Sequence, residues 1–302
     1  MTISRKAART ALSAKLGGVR VPALFGIGTD AKTVKGEKFA ATTGIAYLQP
    51  TAETCPWASA GCSTLCLNGA GRGRMSPVQS ARAHKAAVLF AARRSARDEL
   101  DAYVAAEVAA VVRAARRRSH AAYIRPNGTS DLPWLRALVA RHAGPLGAVV
   151  YDYTKAPCNP VQGIERGTLA HLTRSFDGTK WLFPKDGPLP ALTANANVAF
   201  AYRGEPLQAD TAIDVRNVYG GWAANRQHAS GGDRVVLATS WIDGDASDLR
   251  PLDPFGVYVA LRLKPTAASK AAAPSPFVLE HVGGNVLHWY SAAPQAWPEG
   301  WR

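Results

Sequence analysis

Hydrophobic positions along the chain fall into short strand-like runs separated by loops and by longer helical segments. The runs are rich in β-branched and aromatic residues and end at Gly, Pro, Asn or Asp, which is typical of β-strands. They lie at 37–50, 120–128, 147–155, 169–177, 197–204, 210–217, 234–244 and 256–264. Residues 277–302 add one or two predicted strands and a Trp-rich tail.

Two segments have the spacing of apolar residues expected of helices. Residues 77–119 are rich in Ala and Val and predict two helices that are broken near Ser95. Residues 132–144, LPWLRALVARHAG, form an amphipathic helix that joins strands 120–128 and 147–155. A helix between two strands predicts a βαβ unit, with parallel strands and a right-handed crossover.

These elements predict an α/β fold with a mostly parallel sheet, arranged as a (β/α) barrel or as a partial barrel. A helical segment follows the cysteine loop. The alternative to a barrel is an open doubly wound sheet. We predict three regions along the chain. They are a basic N-terminal arm at 1–36, an α/β catalytic-type domain at 37–265 with the cysteine loop at 51–76, and a linker with a C-terminal extension at 266–302 that packs on that domain.

The charge balance favours a polyanionic partner. The chain has 36 Lys and Arg against 22 Asp and Glu, a net charge of +14. We therefore predict binding to nucleic acid, DNA before RNA, although a GC-rich genome also produces Arg- and Ala-rich proteins. The chain has no apolar run of the roughly 18–20 residues that a membrane span needs. We expect a cytoplasmic protein with no membrane partner.

Three cysteines lie close together in the loop at 51–76. Cys55, Cys62 and Cys66 have the spacing C-x6-C-x3-C, which predicts ligands to one metal ion or iron–sulfur cluster. The candidates for a fourth ligand are Cys158 and His84. The alternative is a site with three protein ligands. Radical S-adenosylmethionine enzymes place their cluster cysteines in a similar position, usually with the spacing C-x3-C-x2-C. The candidate cofactors are thus an iron–sulfur cluster or zinc, with S-adenosylmethionine as a further one; three separate buried thiols are the alternative.

A glycine-rich turn follows these cysteines and leads into the first long helix. Asn68, Gly69, Gly71 and Arg72 offer backbone N–H groups and a guanidinium at a helix N-terminus, which predicts a site for a cofactor phosphate or carboxylate. Asn127, at the end of the predicted strand 120–128, is a further cofactor-binding candidate. A simple tight turn is the alternative for the glycine-rich segment.

Polar residues that follow the predicted strands are the catalytic candidates. Asp131 follows the predicted strand 120–128, and Asp152 and Lys155 lie at the carboxyl end of the predicted strand 147–155. Because parallel strands bring their carboxyl ends to one edge of the sheet, we expect these residues to face one cleft. Crowded carboxylates there have shifted pKa values that suit proton transfer. Asp131, before Leu-Pro, is alternatively a helix cap.

The loop at 242–254 is rich in aspartate and adds two catalytic candidates. Asp243 and Asp245 are predicted to join the same cleft, as a general base or as ligands of a divalent cation. Asp248 and Arg250 instead suggest a structural ion pair with their neighbours.

Taken in order, these motifs resemble a family of uncharacterised bacteriophage and mobile-element proteins. The resemblance covers roughly residues 35–265. It is carried by Cys55-Pro56, Cys62, Cys66 with 68–73, the segment 125–131 with Trp134, the segment 151–155, His171-Leu172 to Ser175, and 243–245 with 248–250 and 252–254.

The resemblance implies a phage setting, in which small basic α/β enzymes often modify DNA bases; the protein would then act in the host cytoplasm. Two barrel classes are similar by analogy: radical S-adenosylmethionine enzymes, and guanine transglycosylases, for which Asp131 and Asp152 would be nucleophile and base. We predict a nucleic-acid base-modifying enzyme with a cysteine-ligated centre. The alternatives are a non-catalytic DNA-binding protein with a structural zinc, and an enzyme that acts on a small phosphorylated metabolite.

Overall fold

The computed structural model describes residues 3–29, 31–156, 170–176, 196–208, 212–219, 235–238, 241–246, 248–254, 257–264, 278–284 and 286–291. Its α-helices are α1 (Arg5–Lys15), α2 (Ala31–Lys35), α3 (Ala60–Thr64), α4 (Ser76–Ser95), α5 (Arg97–Arg116) and α6 (Pro133–Ala143). Its strands are β1 (Gly26–Ile27), β2 (Ala41–Ile45), β3 (Ala121–Arg125), β4 (Val149–Thr154), β5 (Ala170–Ser175), β6 (Ala196–Arg203), β7 (Ile213–Tyr219), β8 (Val235–Ala238), β9 (Trp241–Asp243), β10 (Tyr258–Arg262), β11 (Val278–Gly283) and β12 (Val286–Ser291).

The chain divides into two compact units, and each unit contains segments that are distant in sequence. Unit 1 consists of residues 1–57, 71–173 and 247–252. Unit 2 consists of residues 58–70, 174–246 and 253–302. This division differs from the predicted order of arm, catalytic-type domain and extension, because the cysteine loop and the aspartate-rich loop each contribute residues to both units.

In unit 1 the strands β2, β3 and β4 are parallel, and β1 pairs with β2 in the antiparallel direction. Helix α6 connects β3 to the parallel strand β4, which confirms the predicted βαβ unit. Helix α5 packs so closely on β2 that a Cβ atom on Gly44 would lie 2.6 Å from a methyl group of Val111. A glycine is therefore required where this helix covers the sheet.

In unit 2 most strand pairs are also parallel. Strand β6 pairs in parallel with β10 and β11, β10 with β9, and β12 with β7. The β11–β12 hairpin and the β7–β8 pair are antiparallel. A group of buried apolar side chains, which includes Phe200, Tyr258 and Leu287, forms the core of this unit.

The mixed α/β class and the mostly parallel sheet are confirmed. In the part of the chain that the structure describes, the strands of neither unit close on themselves, which is compatible with the partial-barrel form of the prediction. The predicted break near Ser95 is also present, because α4 ends there and α5 begins at Arg97. The strand predicted at 37–50 is shorter, since residues 36–39 form a 3-10 helix that ends at Ala40, with φ of 50°.

The basic segment predicted as an arm contains α1, which packs on α5 through a buried carboxylate. The side chain of Glu107 is fully buried and accepts hydrogen bonds from Arg5 at 2.8 and 3.0 Å and from Arg9 at 2.6 and 2.9 Å. The backbone N–H of Leu24 also donates to Glu107, at 3.0 Å. Two arginines of α1 thus neutralise the buried carboxylate of Glu107 and attach the helix to the core of unit 1.

None of the helices within the described residues has the length and apolar character that crossing a membrane requires.

Candidate active site

The loop that follows β3 is held tightly against residues 46–54. The N–H of Gly128 donates to the carbonyl of Ala46 at 2.8 Å, and the Thr129 hydroxyl donates to the carbonyl of Leu48 at 2.6 Å. The N–H of Asp131 donates to the carbonyl of Thr54, also at 2.8 Å. A Cβ atom on Gly128 would lie within 2.8 Å of side-chain atoms of residues 45 and 47. The position of Asp131 is therefore set by backbone contacts.

Asn127 organises this loop from within. Its Oδ1 accepts hydrogen bonds from the Ser130 hydroxyl at 2.8 Å and from the N–H of Leu132 at 3.0 Å. Its Nδ2 donates to the carbonyl of Leu132 at 3.2 Å and to the carboxylate of Asp152 at 2.6 Å. Because the amide has two donors and two acceptor positions, all of its hydrogen-bonding capacity is used inside unit 1.

Asp152 lies within β4, two residues before the strand ends at Thr154, and is completely buried. Burial disfavours the charged carboxylate and raises its pKa to about 6, although the charges of Arg136 and Arg125 and the Asn127 hydrogen bond act in the opposite direction. A buried carboxyl with a pKa near neutrality changes its charge within the physiological range.

Asp131 is the second carboxylate of this region. It accepts hydrogen bonds from the Thr154 hydroxyl at 2.9 Å and from the N–H of Lys155 at 2.7 Å. Burial raises its pKa, while these hydrogen bonds and the positive charges of Arg136 and Lys155 lower it. Its side chain keeps 12% of its surface exposed, whereas that of Asp152 keeps none.

Arg136, in the first turn of α6, lies beside both carboxylates. Its Nη1 is 3.9 Å from Asp131 Oδ1 and 3.8 Å from Asp152 Oδ2. This nitrogen is buried and makes no hydrogen bond within the described residues. One guanidinium therefore serves two carboxylates, and the cluster carries an excess negative charge when both are ionised. We refer to Asn127, Asp131, Arg136, Asp152 and Thr154 as the Asp131–Asp152 cluster.

A separate polar cluster of unit 1 surrounds Asp248. Arg125 donates to both Asp248 oxygens at 3.2 Å, and the Tyr151 hydroxyl donates at 3.3 Å. Burial by itself would raise the pKa of Asp248, but the charges of Lys32, Arg125 and Arg250 outweigh it and lower that pKa. The Arg125 guanidinium also lies 4.5 Å from the centre of the Tyr153 ring. Asp248 is thus a structural ion-pair partner of Arg125, with hydrogen bonds of 3.2 Å to both carboxylate oxygens.

Asp243 and Asp245 belong to unit 2 and form a local network there. Asp243 accepts a hydrogen bond from the N–H of Asp245 at 2.9 Å. Asp245 accepts from the Lys264 ammonium at 2.6 Å and from the N–H of Arg262 at 3.0 Å. The structure brings Asp131, Asp152 and the backbone of Lys155 together, whereas a common cleft that includes Asp243 and Asp245 stays a prediction.

The three cysteines of the loop are all half-buried. The Cys55 thiol donates to the carbonyl of Thr129 at 3.7 Å, so the beginning of the cysteine loop lies beside the loop that carries Asp131. Cys62 lies in α3, with its N–H bonded to the Ser59 hydroxyl at 3.2 Å, and Cys66 directly precedes the 3-10 helix at 67–69. Among the residues described, no three His, Cys, Asp or Glu side chains are grouped to hold a metal ion.

His84 and Cys158 are the two candidates for a fourth ligand of the cysteine centre. Nε2 of His84 lies 2.8 Å from the carbonyl oxygen of Arg20. Cys158 lies outside the described residues.

The glycine-rich turn consists of two 3-10 helices, at 67–69 and 71–74, before α4 begins. Asn68 is buried, Gly69 and Arg72 are exposed, and Gly71 has a left-handed φ of 51°. Asn68 and Gly69 belong to unit 2, and Gly71 and Arg72 belong to unit 1. Anion binding by these residues stays a prediction.

Sequence reasoning missed Arg136, and it did not single out Thr154 among the polar residues at the end of the strand 147–155. A signal for Arg136 was present, because it follows Leu132 by four residues and precedes Val139 and Ala140 by three and four. A charged residue on the apolar face of a helix needs a buried partner. Thr154 precedes Lys155 at the end of a strand, and nothing in its local sequence points to Asp131.

The fold and this cluster define a mixed α/β protein, with paired carboxylates at the carboxyl ends of two neighbouring parallel strands. The chain belongs to the family described as Gene product 88, whose model matches residues 19–275. This is a phage-type family of gene products, in agreement with the bacteriophage part of the resemblance seen in the sequence. Comparison with curated proteins and with solved structures gave no match.

Proposed function

We propose that the protein is an enzyme that modifies bases of nucleic acid, and that Asp131 transfers a proton in the reaction. The observation that carries this proposal is the arrangement of Asp131 and Asp152 around the single guanidinium of Arg136. Two carboxylates at neighbouring strand ends, both with raised pKa values, are suited to acid–base chemistry.

The two carboxylates have different roles in this proposal. Asp131 is assigned the catalytic role, because 12% of its side chain is exposed whereas that of Asp152 is fully buried. Asp152 is a positioning residue, because its side chain is fully buried and contacts Asn127 and Arg136. Its charge holds Arg136 close to Asp131, and Arg136 stabilises the ionised form of Asp131.

The net charge of +14 supports a nucleic-acid substrate, since Lys and Arg side chains displace the counterions that surround phosphates. The proposal also retains a cysteine-ligated metal or iron–sulfur centre at Cys55, Cys62 and Cys66. The contact between Cys55 and Thr129 brings Cys55 beside the loop that carries Asp131. When bound, such a centre would supply Lewis-acid or electron-transfer chemistry.

A second candidate is a nucleic-acid-binding protein without catalytic activity. The complete burial of Asp152 and the saturated hydrogen bonding of Asn127 favour it, because both features also stabilise a fold.

The decisive experiment is mass spectrometry of nucleosides from the total DNA and RNA of bacterial cells that produce the protein, because living cells supply any co-substrate. We expect a modified nucleoside that is absent when Asp131→Asn is produced, with the melting temperature of that variant little changed. Asp101→Asn is the matched control. Asp101 is a surface carboxylate of α5 that pairs with Arg141 and His142, so the modification should persist. Identical nucleosides with and without the protein would favour the binding candidate.

A further inference from the structure

A cavity of about 580 Å³ opens on unit 1, within the range of about 300–1,000 Å³ that is usual for ligand sites. It lies where residues 53–57, the end of α4, the start of α5 and the start of α6 meet. The side chains that matter for its chemistry are those of Trp57, Phe90, Arg93, Arg94, Arg97 and Trp134. We call this cavity the tryptophan–arginine pocket.

The aromatic part of the pocket is built around Trp134. The rings of Phe90 and Trp134 pack edge to face, with centroids 5.9 Å apart and an interplanar angle of 72°. The Arg93 guanidinium lies 4.7 Å from the centre of the Trp134 ring. Trp57 lines the same cavity and is half-buried. The pocket thus presents indole surface that is fixed in place by packing.

The charged part of the pocket is positive. Arg93, Arg94 and Arg97 are exposed, and Glu53, the only carboxylate among the lining residues described, lies 4.0 Å from Arg94. Arg93 and Arg94 complement the dipole at the end of α4. That explanation fails for Arg97, because a cation at the first residue of α5 opposes the dipole of its own helix. Its Nε donates to the carbonyl of Arg93 at 3.2 Å, which holds the side chain against the last turn of α4.

We propose that this pocket binds an unpaired nucleotide of single-stranded nucleic acid. The base stacks on the indole surface, and its phosphate contacts Arg94 and Arg97. Aromatic stacking combined with guanidinium contacts to the backbone is the usual chemistry of single-strand recognition. A base that is paired in a duplex is stacked between its neighbours and does not present its face to the indoles.

The pocket adjoins the Asp131–Asp152 cluster through the backbone. Leu132 lines the pocket, directly follows Asp131 and is hydrogen-bonded in both directions to Asn127. The pocket and the cluster thus share one loop, although Asp131 is not among the described residues that line the pocket. The inference deepens the proposed function, since it takes the substrate class from it and specifies a single strand.

Binding is tested with the full chain and a labelled ten-nucleotide DNA strand, measured by fluorescence anisotropy at several salt concentrations. Arg94→Gln with Arg97→Gln should weaken binding at least tenfold and reduce the salt slope by roughly 0.7, the contribution of the one phosphate that both arginines contact. The matched control is Arg113→Gln, which also removes one positive charge. It is compared with the single variants Arg94→Gln and Arg97→Gln. Arg113 is exposed on α5, about 24 Å along the helix from Arg97.

Trp134→Leu tests the stacking contact and should weaken binding roughly tenfold with little change in the salt slope. Its melting temperature is measured beside its affinity, because Trp134 also packs against the core of unit 1. Two further probes identify the ligand: a duplex of the same length and a nucleoside monophosphate should both bind more weakly than the strand.

Equal affinities of the single variants Arg94→Gln, Arg97→Gln and Arg113→Gln would overturn the pocket, even if the protein modifies nucleic acid in cells. Preferred binding of the duplex or of the free nucleotide would also overturn it. Loss of strand binding in the pocket variants, without any modified nucleoside in cells, would leave the pocket standing and refute the enzymatic proposal.

Discussion

The side-chain amide of Asn127 donates a hydrogen bond of 2.6 Å to the fully buried carboxylate of Asp152. The two residues are 25 positions apart: Asn127 lies two residues beyond β3, and Asp152 lies within the neighbouring parallel strand β4. The same amide closes the loop that carries Asp131, so one side chain connects the buried carboxylate to the more exposed one.

Replacing Asn127 by Ala should lower the free energy of unfolding by about 3 kcal/mol, because Asp152 and the backbone of Leu132 lose buried partners. Ser130→Ala removes only one of the hydrogen bonds to Asn127 and should cost about 1 kcal/mol. Urea denaturation of both variants measures these values. Equal losses of unfolding free energy in the two variants would show that the Asn127 amide does not hold the loop together.

Stability should depend on pH through Asp152. The folded protein binds the Asp152 proton more tightly than the unfolded chain, because burial raises the pKa from 3.8 to about 6. The resulting stabilisation is complete below pH 4 and is lost as the pH rises through 6. Relative to Asp152→Asn, wild-type protein should lose on the order of 3 kcal/mol over this window.

Chemical denaturation of wild type and Asp152→Asn at pH values from 4 to 7 tests this dependence, because the other titrating groups are common to both proteins. Parallel pH profiles would contradict the raised pKa of Asp152.

Removing the charge of Glu107 should detach α1 from α5. Glu107→Gln removes the buried carboxylate that pairs with Arg5 and Arg9, whose side chains are 32% and 29% exposed. It should cost roughly 1.5–3 kcal/mol, the range for hydrogen bonds to a charged group. Glu99→Gln, on the same helix, is the control, because Glu99 lies 3.9 Å from an exposed Lys15 and such pairs contribute about 1 kcal/mol or less. Hydrogen exchange of residues 5–15 should increase in the first variant alone; unchanged protection there would refute this role of Glu107.

The predicted cysteine centre calls for metal analysis and an absorption spectrum after anaerobic purification. We expect about one zinc ion or one iron–sulfur cluster per chain, and loss of that content in Cys62→Ser. Ser63→Ala, the neighbouring position on α3, is the control that should retain it. Wild-type protein that contains neither zinc nor iron would refute the centre.

Much of unit 1 followed from local patterns in the sequence. The break between α4 and α5 was predicted from the pattern around Ser95, and the β3–α6–β4 unit from one amphipathic helix between two apolar runs. The proximity of Asp131 and Asp152 then follows from topology, because parallel neighbouring strands end at the same edge of a sheet.

Tertiary contacts alone decided which charges pair. The sequence by itself determined that residues 1–36 are basic, whereas the fold placed Arg5 against a carboxylate 102 positions away. Likewise, Asp248 was expected to form an ion pair, but its partner Arg125 is 123 positions distant. Secondary structure depends on residues a few positions apart, and periodicity records it. Ion pairs and pockets such as that of Trp57 and Trp134 depend on packing between distant segments, which no local pattern encodes.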